Sequence, residues 1–171
     1  MVIRPLTPGD RRAIAFSFRR LGERSRYQRF LAPVHELSSL QLDRMTRVDH
    51  WHHEGLIAYS PPPRSPIGLA EYVRLDTFDE AELAIAVVDA WQRRGVGSAL
   101  AAALRDRALA AGIRRLRATV LAGNHGALAL ARGLGEVRCA RGYRDLYELE
   151  IVLSSHRPAA SATAVRSPVR L

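Results

Sequence analysis

A chain of 171 residues, 47% of them apolar, has the length and hydrophobic content of one ordinary domain with its own core. The formal net charge is +9, and all 26 basic residues are arginine, so no lysine is present to act as a catalytic amine or a phosphate-loop cation. No run of about 18 apolar residues is present to span a membrane, and Cys139, the only cysteine, rules out an intramolecular disulfide; with no secretion signal at Met1–Leu6, a cytoplasmic protein is the expectation.

Residues 2–6 read as a short strand. Thr7 then serves as N-cap and Pro8 as first helical residue of an amphipathic helix carrying Ile14, Phe18 and Leu21, which Gly22 ends. A second helical stretch covers "SRYQRFL", with Tyr27 and Phe30 as its expected core anchors. A third starts at Ser38 or Ser39 and turns Leu42 and Met45 inward. "GLIAYS" and "IGLAEYVRL" are strands joined by "PPPRSP", which cannot be helical. "AELAIAVV" (81–88) is a buried strand, and Gly95 to Ala111 is a helix repeating Val96, Leu100, Leu104 and Ala108. "LRATVL" is a strand, "NHGALALARGLG" a short helix, and "YELEIVL" the closing strand. The order predicts a three-layer α/β domain over residues 1–153. Residues 154–171 have no period, carry Arg157, Arg166 and Arg170, and are expected to be a disordered tail.

Glycines at a strand-to-helix junction usually hold phosphate. A P-loop needs a lysine that this chain lacks, and the dinucleotide fingerprint needs a third glycine where Leu100 stands. "QRRGVG", Gln92 to Gly97, fits a third pattern, Q/R-x-x-G-x-G/A. Gly95 and Gly97 lack a Cβ, so the amides of Val96, Gly97 and Ser98 at the helix start can approach a diphosphate, with Arg93, Arg94 and the Ser98 hydroxyl as further donors. That pattern is the pyrophosphate loop of the GNAT acetyltransferase superfamily, which the chain resembles from residue 2 to 153. "VIRPLTPGDRRAI", "AELAIAVVDAWQRRGVGSAL" and "NHGALALARGLG" carry the likeness. "SRYQRFLAP" and "RMTRVDHWHH" are similar to the bacterial protein-lysine acetyltransferase branch.

The resemblance implies a GNAT fold: a mixed central sheet of six or seven strands flanked by helices on both faces. It implies acetyl-CoA as co-substrate, no metal, and direct transfer to an amine acceptor, either a protein lysine or a small molecule. Val87 and Val88 would offer backbone groups to the pantetheine arm, an N–H near Val87 would polarise the thioester, and Asn124 would lie beside that arm. Glu82 matches the family's general base. On its strand it shares a face with Ala84 and Ala86, where partial burial would raise its pKa toward a useful range; a structural acid paired with an arginine is the other reading. One position departs: the tyrosine that protonates the thiolate in many GNAT enzymes is Ala131 here, with Tyr143, Tyr147 and His125 as alternatives.

Asp49, His50, His52, His53 and Glu54 are metal-ligand types, but an extended segment turns His53 away from His50 and His52, which disfavours a metal site. Asp49 and His53 match the protein-acetylating branch, and that resemblance implies a place lining the acceptor entrance; a plain surface loop is the other reading. Excess arginine leaves a basic nucleic-acid module as an alternative, although no aromatics interleave with "IRRLRA". A CoA-binding sensor without catalysis is a further alternative, kept open by Ala131. A monomer or homodimer without a membrane partner is expected.

Overall fold

The computed structural model describes residues 1–142 and 145–154. Seven strands, β1 (Val2–Pro5), β2 (His53–Tyr59), β3 (Pro66–Arg74), β4 (Glu80–Val87), β5 (Arg115–Leu121), β6 (Gly135–Arg141) and β7 (Leu146–Leu153), form one sheet in the order β1-β2-β3-β4-β5-β7-β6. All neighbouring pairs are antiparallel except β4 with β5. The helices are α1 (Arg11–Arg19), α2 (Glu23–Phe30), α3 (Ser39–Thr46), α4 (Val96–Ala110) and α5 (His125–Leu134). No helix among the described residues is long and apolar enough to cross a membrane.

Strand alternation divides the core in two. Leu56, Ala58, Ala70 and Tyr72 face α4 and α5, where Leu100, Leu104, Ala131 and Leu134 close over them. Ile57 and Leu69 point the other way and are covered by α1 and α3 through Ile14, Phe18 and Leu42. Helices thus lie on both faces of a seven-stranded mixed sheet, as expected.

Local corrections have physical causes. The first helix opens with a 3-10 turn at Pro8–Asp10 and ends by Arg19, short of Leu21. Gly22 is the N-cap of α2, which begins at Glu23. Tyr27 does not anchor α2, being 44% exposed. Phe30 does, packing edge-on against Phe18 with ring centroids 5.7 Å apart. Of the one or two strands expected after the last helix, the structure has two, and the extra one, β6, begins at Gly135 directly at the end of α5. Of the expected tail, residues 155–171 lie outside the described residues.

Asp10 locks the N-terminal strand to the first helix. Its carboxylate accepts from the Thr7 amide and hydroxyl, both at 2.8 Å, and from Arg4 Nη1 at 2.8 Å. These donors, Arg4 first, hold the carboxyl at about 2, below its ordinary 3.8. A depressed folded-state pKa stabilises the fold above the unfolded value, and the contribution drains away as pH falls from 3.8 toward about 2. Asp10→Asn is therefore expected to cost about 1–3 kcal/mol at neutral pH by denaturant titration. Its gap to the parent protein should close in acid.

Candidate active site

β4 and β5 are paired only over Glu80–Glu82 and Arg115–Arg117. Beyond that, β4 continues along β3 to Val87 and β5 continues along β7 to Leu121, so the two parallel strands part and leave a wedge. The Val88 amide donates to Ile67 of β3 at 2.9 Å, and the Glu80 carbonyl accepts from Leu75 at 3.0 Å. Even-numbered backbone groups of β4 thus face β3. By alternation, the N–H and C=O of Ile85 and Val87 point into the wedge.

α4 begins at the mouth of that wedge. Its first amides, those of Val96, Gly97 and Ser98, are the orphan donors of a helix start, and no side chain caps them. The turn before it is conformationally demanding: Arg93 has φ 58° and Gly95 φ 81°, both left-handed. Gly97 serves a second need, since a Cβ there would meet Leu130 Cδ1 of α5 at 3.3 Å and Val87 Cγ2 at 3.6 Å. Gln92 braces the turn: its amide nitrogen lies 3.0 Å from the Val87 carbonyl and 3.1 Å from Ser25 Oγ of α2. The Arg94 guanidinium lies 5.3 Å from the centre of the Trp91 ring, while Arg93 and Ser98 are exposed. Val88 is buried, so of the two valines only Val87 turns its backbone into the wedge.

Glu82 stands at the point where the strands part. It lines an open groove of about 580 Å³ with Leu75, Arg117, Thr119, Arg138 and Glu148. Contrary to the expectation of partial burial, its carboxylate is exposed. On this face α1, α2 and α3 close over Ile57, Leu69 and Ala86, and the groove beside Glu82 is open. Among the described residues Glu82 has no arginine partner: Arg117 and Arg115 both turn to Glu80, at 2.7 and 2.8 Å. Those two contacts also consume much of the charge of "IRRLRA".

Glu71, which the sequence analysis does not single out, is a second buried acid on the same face, besides Glu80. It is opposite Ala84 on β4, diagonal to Glu82. Its carboxylate joins Arg29 of α2 and, at 3.1 Å, His53 Nε2 of β2. The pull of Glu71 outweighs burial and raises the His53 pKa above its ordinary 6.5. The signal was available, since Glu71 is the one acid inside the apolar run "IGLAEYVRL". Arg26 instead braces its own segment, donating to the carbonyls of Leu21 and His35, each at 2.9 Å.

The "DHWHHE" histidines turn to three different acids: His50 to Glu54, His52 to Asp49 and His53 to Glu71. Asp49 caps its own loop, accepting from the amides of Trp51, His52 and His53 at 2.8 to 2.9 Å. Those amides hold its carboxyl well below the usual range. Among the described residues, no three metal-capable side chains converge.

Asn124 is the N-cap of α5, its Oδ1 accepting from the Ala127 amide at 3.1 Å. Ala131 is buried on the α4–α5 side, and Tyr147 packs against the same cluster. His125 is exposed at the start of α5, and Tyr143 lies outside the described residues.

The sequence and the fold both match known proteins. The family model of the acetyltransferase (GNAT) family matches residues 24–135. The chain belongs to the GNAT family. An acetyltransferase of Pseudomonas aeruginosa is 27% identical over 145 residues, which is 84% of this chain and 74% of that protein. The crystal structure of the GNAT domain of S. lividans PAT is 31% identical and superposes with a TM-score of 0.80, covering 88% of this chain and 89% of that one. A GNAT phosphinothricin acetyltransferase from Sinorhizobium meliloti, solved with AcCoA, shares the fold at 20% identity, with a TM-score of 0.71 and coverage of 89% and 88%.

Proposed function

We propose that this GNAT protein is an acetyl-CoA-dependent N-acetyltransferase that moves the acetyl group directly to a primary amine, with Glu82 as general base. The observation that carries this reading is the parting of β4 from β5 just beyond Glu82, with the uncapped start of α4 at the opening. The amides of Val96, Gly97 and Ser98 suit the two phosphates, with Arg93 and Arg94 as cationic partners. The pantetheine arm would lie along Ile85 and Val87, with Asn124 at the opposite wall. The thioester carbonyl would accept from the Val87 amide. Bound acetyl-CoA supplies an activated acyl carbon. Glu82 accepts the proton that the amine must lose, the nitrogen–carbon bond forms, and the carbon–sulfur bond breaks to release CoA. Tyr147 packs against the cluster that holds Ala131, which supports it as the candidate to return a proton to the thiolate.

A protein lysine is the favoured acceptor, since the groove beside Glu82 is open and the S. lividans PAT domain is similar over most of the chain. A small-molecule amine remains the alternative acceptor. Ala131 supports a second reading, a CoA-binding sensor of the same fold without turnover. Free-thiol release from acetyl-CoA across a panel of lysine peptides and small amines separates the two. Amine-dependent thiol release is expected. Thermal stabilisation by acetyl-CoA with no thiol release from any amine would favour the sensor.

A further inference from the structure

A cavity of about 30 Å³ lies beneath α1 and α2 on the Glu82 side of the sheet. Ile14, Phe18, Phe30, Met45 and Leu69 form most of its apolar wall, and Ala86 and Val88 form its β4 side. Its two polar lining residues are Ser17 and Arg29. Arg29 is committed to Glu71, whereas Ser17 Oγ is buried with no hydrogen-bond partner.

Resting on the acyl-transfer reading above, we infer that this cavity is an acyl-chain pocket that admits thioesters longer than acetyl. From Glu82 along β4 the side chains on this face are Ala84 and Ala86, so only methyl groups stand between the base and the cavity wall. An acyl carbon held beside the Val87 amide would lie next to Ala86, which lines the cavity, so its tail could enter this recess. A water-sized group needs about 10–15 Å³, so about 30 Å³ takes about two more carbons. Propionyl and butyryl groups fit, and hexanoyl does not. The reaction balances as for acetyl: the amine nitrogen bonds the acyl carbon, its proton passes to Glu82, the carbon–sulfur bond breaks, and the thiolate takes up a proton to leave as CoA.

The test compares acetyl-, propionyl-, butyryl- and hexanoyl-CoA with one amine acceptor, reading thiol release and acylated product. In the parent protein, kcat/KM for propionyl is expected within about threefold of acetyl, and hexanoyl lower by about a hundredfold. Ser17→Val narrows the recess and should cut the propionyl-to-acetyl ratio about tenfold, while Met45→Ala widens it and should raise the butyryl and hexanoyl rates. Strict acetyl selectivity in the parent protein overturns the pocket and leaves acetyl transfer standing. So does a chain-length profile unchanged in both variants when both still melt cooperatively. No turnover with any thioester, together with no thermal stabilisation by any of them, removes the acetyltransferase reading and this inference with it.

Discussion

Glu82→Gln is expected to lower kcat by about 10²- to 10⁴-fold, the usual worth of a positioned base. That is about 2.7 to 5.4 kcal/mol of transition-state stabilisation. Stability and acetyl-CoA affinity should barely change. Glu82 is exposed and pairs with no arginine among the described residues, so the amide breaks no ion pair and creates no buried orphan. Exposed substitutions of that kind usually stay within about 0.5 kcal/mol. Loss of kcat with an unchanged melting temperature and an unchanged Kd therefore isolates a chemical role. A wild-type rate in this variant would assign the proton transfer elsewhere, and Glu71, already committed to Arg29 and His53, is poorly placed to take it over.

The second large effect belongs to Gly95. Nothing lies within 4 Å of where its Cβ would be, so a side chain there meets no obstacle. The demand is conformational: at φ 81° a non-glycine residue costs about 1–2 kcal/mol, and a β-branched one more. Gly95→Val is expected to unseat the turn that aims the first amides of α4 and to weaken CoA binding by about tenfold or more, measured by calorimetry. Gly95→Asn should restore most of the affinity, because asparagine tolerates the left-handed region. If asparagine fails as badly as valine, the bare surface at Gly95 matters in itself and the conformational account is wrong.

Much of this site could be read from residues alone because backbone conformation and helix geometry dictated them. "RRGVG" could hold a diphosphate only at a helix start, and Glu82 was the one acid within "AELAIAVV". What escaped depended on long-range packing. β6 begins at the very glycine that reads as the end of α5, and its alternating run Glu136-Val137-Arg138-Cys139 is short enough to pass for a loop. Gly135 is required because a Cβ there would collide with the Val152 carbonyl of β7, a constraint from a different strand. The exposure of Glu82 was hidden for a related reason: strand composition suggests burial, while the location of the helices decides it, and among the described residues those on this face close over Ile57, Leu69 and Ala86 instead. Gln92 opens the cofactor-binding motif, and its side chain also ties the Val87 carbonyl to Ser25 of α2. The missing tyrosine at Ala131 was plain in the sequence, but Tyr147 packing against the same cluster was not.

A crystal structure of the complex with acetyl-CoA asks the central question directly: does the space opened between two diverging strands receive the cofactor? The expected density places diphosphate oxygens about 3 Å from the amide nitrogens of Val96, Gly97 and Ser98, with the thioester carbonyl against Val87. Cofactor bound on another face, with that wedge closed by side chains, would contradict it.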